Sequence, residues 1–344
     1  MDAAGRLVED WGTLAVQLAG DDLPAAGATK VEAVKLDDVI PAARAVSQRG
    51  PVTLTTTAYR SPVWPAGLDV LVVRVEETAG QPKTVTVSIE LPPKAQRGAQ
   101  TVGLGRQTIL TLPSGPLIGE KLRDWGYCDT AASLPRWAKP VGPCDPAFRN
   151  IRAGMGGVPI VYRFKVAPKS AAHVVLGLCE SHWDVAGKRP LVCSVEGAPP
   201  QQVDPVTRWG RHKPGALSFA ARDANGDGWL EITVTTPPSV PDRNPILNAI
   251  WLFPSGPPPA LDQVIAGNLN AKATRVVDCG GDNDQSIYPP GKLEYQLALP
   301  ARGAQELTFL VACGKASLPP FDQTAWTADT LRRAAREVWR DWRE

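Results

Sequence analysis

Proline and glycine punctuate this chain so often that long regular elements have little room. Of 344 residues, 34 are Pro and 31 are Gly. Pro leaves a sheet ladder without a donor and Gly opens turns, so both collect between strands. The segments between them read as strands. Leu71-Val-Val-Arg-Val75 is rich in β-branched residues, and Thr84-Val-Thr-Val-Ser-Ile89 alternates with period two. A first group of strands is expected at 31–36, 52–58, 69–76, 84–90 and 107–112. A second follows at 160–166, 173–179, 189–196, 217–221, 230–235 and 249–253. A third, smaller group lies at 274–278, 292–299 and 305–311.

Helix is scarce. Residues 1–18 allow one. The stronger case is the C-terminus, where Thr327 or Asp329 caps a run in which Leu331, Ala334, Ala335, Val338 and Trp342 recur at helical spacing. Trp326, Trp339 and Trp342 belong to this region. Its apolar face needs cover from the body of the protein, a protein partner or a following catalytic domain.

Proline-rich breaks lie at 92–93, 113–116, 135–146, 199–205, 237–245 and 254–259. The strongest flank the middle group. The third group holds too few strands to bury a core alone. The expected fold is therefore mostly β: two β-sandwich, jelly-roll-like units, the second inserted in the first. The outer unit takes 1–149 and 257–326, the inner one 150–256, and a C-terminal amphipathic helix 327–344.

Charge excludes some partners. The net charge is +2 and charged residues make up 21%, while 43% are hydrophobic. That is neither a charge-driven disordered chain nor a general basic field for nucleic acid. No apolar run approaches the ~18 residues of a transmembrane helix. Asp2, Arg6, Glu9 and Asp10 interrupt any leader in this numbering, so the chain is cytosolic or its leader was removed earlier. Six Cys form no CxxC pair. Their even number permits three disulfides, with Cys179 and Cys193 expected in neighbouring strands and Cys279 and Cys313 as a second pair. Buried free thiols explain them equally well.

The middle segment carries a distributed pattern. It runs through Tyr162-Arg-Phe-Lys-Val166, His173-Val-Val-Leu-Gly-Leu-Cys-Glu180 and Gly187-Lys-Arg-Pro-Leu-Val-Cys-Ser-Val-Glu-Gly197. Val203-Asp204, Asp227-Gly-Trp-Leu-Glu-Ile232 and Pro245-Ile-Leu-Asn-Ala-Ile250 complete it. This order resembles malectin-like, galactose-binding-like β-sandwiches over about a hundred residues. The resemblance implies carbohydrate binding and a secreted or periplasmic location. The early binding aromatics of that family have no match here, so glucose-type specificity does not carry over. The flanking β segments and the Trp-rich terminal helix resemble, by layout, the N-terminal β region of bacterial multidomain glycoside hydrolases.

Three stretches carry candidate chemistry. In Glu180-Ser-His-Trp-Asp184, Trp183 can stack on a sugar while Glu180, His182 and Asp184 hydrogen-bond hydroxyls; the alternative is a structural Glu180–Arg189 ion pair. In Arg208-Trp-Gly-Arg-His-Lys213, Arg208, Trp209 and Arg211 form either a binding lip or a solvated loop, with Trp209 folded onto the sandwich. Arg189 and Asp204 join the ligand set. In Asp223-Ala-Asn-Gly-Asp-Gly-Trp229, Asp223, Asn225 and Asp227 match the start of a calcium loop. Position twelve would be Val234 instead of a bidentate Glu, so a hairpin turn is the better reading. Asp278-Cys-Gly-Gly-Asp-Asn-Asp284 reads likewise as a polar turn before a cation site.

No GxSxG, Walker, HExxH or GxGxxG motif is present. The expected function is non-catalytic carbohydrate binding, in a protein or an accessory region of a glycoside hydrolase-like protein. The alternatives are a self-contained polysaccharide-degrading enzyme, with Glu180 and Asp184 or Asp204 as its nominal carboxylate pair, and a protein-interaction module.

Overall fold

A computed structural model of the chain describes residues 1–19, 23–63, 67–113, 122–288, 290–318 and 327–342. The break at 114–116 and Trp326 lie outside these. The strands are antiparallel and assemble into two units.

One unit takes Met1–Gln96, Gln100–Lys121 and Pro290–Glu344. In its larger sheet the strands Lys30–Leu36, Ile40–Arg49, Val52–Ser61 and Leu68–Glu77 follow one another in order. Ala304–Ala312 then pairs with Leu68–Glu77 along its length, and Gln107–Thr111 pairs with Ala304–Ala312. The smaller sheet joins Leu7–Glu9, Gly12–Ala19, Lys83–Glu90 and Lys292–Leu299. Leu14, Val87, Ile89 and Tyr295 of the small sheet meet Val52, Leu71, Val73 and Phe309 of the large one in a single core. The run Val70-Leu-Val-Val73 is apolar without alternation because this part of the sheet is covered on both faces. On the far face, Ile40, Tyr59, Leu68, Val70 and Leu310 pack against Leu331 and Ala335 of the helix Ala328–Asp341. Thr327 caps that helix, accepting the Thr330 N–H at 3.2 Å. Positions 331, 335 and 339 form the packed seam, whereas Val338 and Trp342 are 45% and 82% exposed.

Residues 1–18 form strands, not a helix. The buried side chains Leu14 and Leu18 are four apart, a spacing that suits both periods. The choice comes from pairing with Lys83–Glu90 across five register positions. Ile40–Arg49 was invisible as a strand because it is Ala-rich and carries Pro41. It forms because it is paired on both sides.

The other unit takes Arg97–Ala99 and Leu122–Pro289. A five-stranded sheet runs Trp125–Tyr127, Ile160–Lys165, Trp229–Thr235, Leu191–Val195, Gln201–Val203. A four-stranded sheet runs Gly215–Arg222, Ala171–Leu178, Ala249–Pro254, Arg275–Asp278. The strands Trp125–Tyr127 and Arg275–Asp278, outside the stretch 150–256, form the outer edges of these two sheets. Tyr162, Phe164, Ile232 and Val234 of the first sheet meet Val174, Leu176, Phe219 and Trp251 of the second in the core. Gly177 has to be glycine, because a Cβ there would lie 2.8 Å from the Trp251 ring and 3.0 Å from Phe148. Buried Asn248 donates to the carbonyls of Phe148 (2.9 Å) and Asn150 (3.0 Å) and accepts the Cys179 N–H at 2.7 Å. It thereby ties two loops to the sandwich, which accounts for an Asn at the head of the strand Ala249–Pro254.

All six thiols are free. Cys193 lies in the five-stranded sheet and Cys179 just past a strand of the other sheet, so they are not strand neighbours. Burial pushes the Cys193 thiol up to about 12 and that of Cys179 to about 11. The even cysteine count therefore supplies no disulfide from which to infer an oxidising compartment. Among the described residues no helix is long and apolar enough to cross a membrane.

Candidate functional site

Three charged side chains organise the loop after the strand Ala171–Leu178. Glu180 is 1% exposed. Its Oε1 accepts the backbone N–H groups of His182 (2.7 Å) and Trp183 (3.1 Å), and its Oε2 accepts from Arg189 at 2.5 Å. Arg189 also donates to Asp242 Oδ2 through Nε (3.1 Å) and Nη2 (2.5 Å). The same Asp242 oxygen accepts the Trp183 indole N–H at 2.8 Å. Its other oxygen accepts the backbone and side-chain N–H groups of Asn244 at 3.0 and 2.7 Å. Burial pushes the Asp242 carboxyl up. The donors of Asn244, Trp183 and Arg189 outweigh that and hold it below its ordinary value.

Glu180 and Arg189 thus face each other and the protein backbone, and their polar atoms are not offered to a ligand. Through the His182 and Trp183 N–H groups Glu180 is tied to the loop that carries both side chains. Removing a partner from such a buried cluster strands an uncompensated charge, so the arrangement is rigid. Trp183 is half-buried and held at both its main-chain and its indole N–H. His182 meets it edge-on at 4.6 Å and 82°, and Lys188 Nζ stands 5.7 Å from its ring. His182 and Asp184 are exposed. Arg211, also exposed, reaches the Ser181 carbonyl at 3.5 Å and the Asp184 carboxylate at 4.0 Å. His212 joins through Ser181 Oγ at 3.0 Å.

The other expected ligand residues divide. Asp204 caps the short helix Pro205–Arg208, accepting from Val206 N (3.0 Å) and Thr207 Oγ1 (3.0 Å), and also accepts the Gly187 N–H at 2.5 Å. Trp209 lies against Gly215, where a Cβ would fall 2.0 Å from its indole, so it packs onto the sandwich. Arg208 is exposed and stands 5.3 Å above the Trp209 ring.

Two residues carried no local signal. Asp242 sits in the proline-rich loop 237–245, and only its long-range bonds reveal its role. Trp137, half-buried, lies 5.7 Å from the Arg189 guanidinium. Its loop is fastened to Ser181 by the Lys139 N–H at 2.9 Å.

The turn Asp223–Trp229 is filled by protein donors. Asp223 accepts from Gly226 (2.7 Å), Lys169 (3.0 Å) and Gly228 (3.0 Å). Asn225 Oδ1 accepts the Asp227 N–H at 2.7 Å, and Asp227 Oδ1 the Trp229 N–H at 2.8 Å. Burial alone would raise the Asp223 carboxyl, but these backbone donors hold it low. The set Asp223, Asn225 and Asp227 thus makes the side-chain to backbone bonds of a hairpin turn. Asp284 of the second acidic loop is likewise engaged, by Arg152, by the Tyr162 hydroxyl at 2.9 Å and by the Gly280 N–H at 2.8 Å.

No protein-family model and no curated protein matches the chain. Solved structures give distant likenesses. The ANX1 ectodomain from Arabidopsis thaliana aligns at 11% identity and TM-score 0.29, covering 65% of this chain and 71% of that one. The ANX2 ectodomain from the same plant aligns at 12% identity and TM-score 0.28, covering 48% and 50%. A calcium-binding mutant of Bacteroides uniformis beta-glucuronidase 2 aligns at 12% identity and TM-score 0.26, covering 54% and 28%. The chain thus spans about half the length of the ANX2 ectodomain. At this level the likenesses assign no family.

Proposed function

We propose that this is a non-catalytic carbohydrate-binding β-sandwich protein, or the accessory region of a glycoside hydrolase-like protein, and that Trp183 is its sugar platform. The observation that carries this is the fixation of a half-exposed indole by the Glu180–Arg189–Asp242 cluster. A sugar's C–H face stacks on such a ring, and a ring already held loses little entropy on binding. His182, Asp184, Lys188 and Arg211 supply donors and acceptors for hydroxyl groups on the same loop. Glu180, whose carboxylate is occupied by Arg189 and two backbone N–H groups, is not available as a glycosidase acid or nucleophile. A glycan array followed by calorimetry tests the proposal. Trp183→Ala is expected to weaken binding at least tenfold in a protein that still unfolds cooperatively. A folded wild-type protein that binds no glycan overturns it.

A further inference from the structure

The sandwich of the 122–289 unit has a recess at one end, where its edge strands begin; farther along, Tyr127 is bonded to Gln285 and Ile287. Trp125–Tyr127 is the last strand of the five-stranded sheet and Arg275–Asp278 the last of the four-stranded sheet. Where these edges part, a trough of about 590 Å³ runs between the sheets, within the range of small-ligand sites, about 300–1,000 Å³. Trp125 and Phe253 contribute aromatic surface to its walls, and Asp124, Lys165, Thr274 and Arg275 line it with polar groups. Trp125 is braced from its partner strand by Phe164, stacked parallel to it at 6.2 Å.

Arg275 is the informative residue. Its guanidinium carbon stands 5.4 Å from the centre of the Trp125 ring. Contact with an aromatic face orients the guanidinium while leaving its in-plane N–H fork open. Among the described residues no carboxylate pairs with Arg275 or Lys165, and no side-chain hydrogen bond engages either. An oriented fork with no partner matches a carboxylate in bidentate geometry. Two cations against the single carboxylate of Asp124 favour an anion. The aromatic walls, with Thr274 and Asp124, suit the C–H faces and hydroxyls of a sugar ring.

We infer that this trough is a second binding site, distinct from the Trp183 rim, for an acidic saccharide whose uronate carboxylate is received by Arg275. It rests on the reading above only in taking the ligand to be a saccharide.

Calorimetry at fixed ionic strength with tri-uronates of galacturonate, glucuronate and mannuronate, each beside its carboxyl-reduced neutral counterpart, tests it. Wild type is expected to bind at least one tri-uronate, and at least tenfold more tightly than the neutral form. Arg275→Gln should abolish that preference. Arg275→Lys, which keeps the charge but loses the fork, should retain only part of it. Trp183→Ala should leave tri-uronate binding unchanged. No tri-uronate binding by wild type, equal binding of the neutral forms, or unaltered binding by Arg275→Gln overturns the inference. Arg275-dependent uronate binding in a protein whose neutral-glycan binding is absent or indifferent to Trp183→Ala supports this site while rejecting the Trp183 platform.

Discussion

Each unit contains two carboxylates and one arginine in contact, and the two clusters behave oppositely. In the 122–289 unit Arg189 lies between Glu180 and Asp242 and bonds both. Its side chain is 6% exposed, and the Asp242 carboxyl is held below its ordinary value. In the other unit Arg60 bonds Asp69, at 3.0 and 3.2 Å, and its side chain is 51% exposed. Among the described residues no arginine bonds Glu9. Burial, and then a hydrogen bond shared with Asp69, raise its carboxyl to about 7, while Gly314 donates its N–H to it at 3.1 Å. A guanidinium placed between two acids keeps the cluster charged. One placed beside a single acid leaves the second to retain a proton. The groups are alike and the placement decides.

Breaking the first cluster has the largest expected effect. Arg189→Met leaves Glu180 and Asp242 buried without their cation, at a cost of about 3–5 kcal/mol. Urea denaturation measures this, and the Trp183 platform should lose glycan binding with it. A loss under 1 kcal/mol would mean that the triad is not what holds the loop.

The second effect is the pH dependence, with opposite signs in the two clusters. Glu9 binds its proton more tightly in the folded chain than at its ordinary value of 4.5. Its contribution is complete below about pH 4.5 and is lost as pH rises through about 7. Asp242 is lowered from 3.8, so its contribution is complete above that value and is lost as pH falls through its lower folded value. Since Glu9 is partly solvent-exposed, its share is about 1–2 kcal/mol after screening. Urea melts across pH 3 to 8 should show stability declining between pH 5 and 8, and Glu9→Gln should flatten that decline. A decline unchanged in Glu9→Gln assigns it to another group.

The smallest expected effect is none at all. Millimolar calcium should leave the melting temperature within error, because the oxygens of the Asp223–Trp229 turn already accept backbone N–H groups. A rise of several degrees that disappears in Asp227→Ala would reverse that reading.

Much of the fold was legible. Strands such as 69–76, 84–90, 230–235 and 292–299 stand where period-two alternation or β-branched runs between Pro and Gly put them. The terminal helix begins at its Thr327 cap. What escaped was segments whose local signal is shared or weak, namely 1–18 and Ile40–Arg49. In the site, Trp183 was legible as a loop aromatic after a strand. Asp242, Trp137, Trp125 and Arg275 were not, because each matters through partners tens of residues away.

Composition and periodicity by themselves determined that this chain is mostly β, that Pro and Gly delimit its strands, and where the longest described helix lies. Those are local properties, decided by backbone sterics and by which face of an element is apolar. Only the tertiary structure decided which charged side chains support a surface and which present one. Glu180 and Arg189 looked like ligand groups and are bonded to protein partners, while Arg275, unremarked in the sequence, stands exposed over the Trp125 ring. Burial and hydrogen-bond satisfaction are properties of an assembled neighbourhood, and no stretch of sequence contains that neighbourhood.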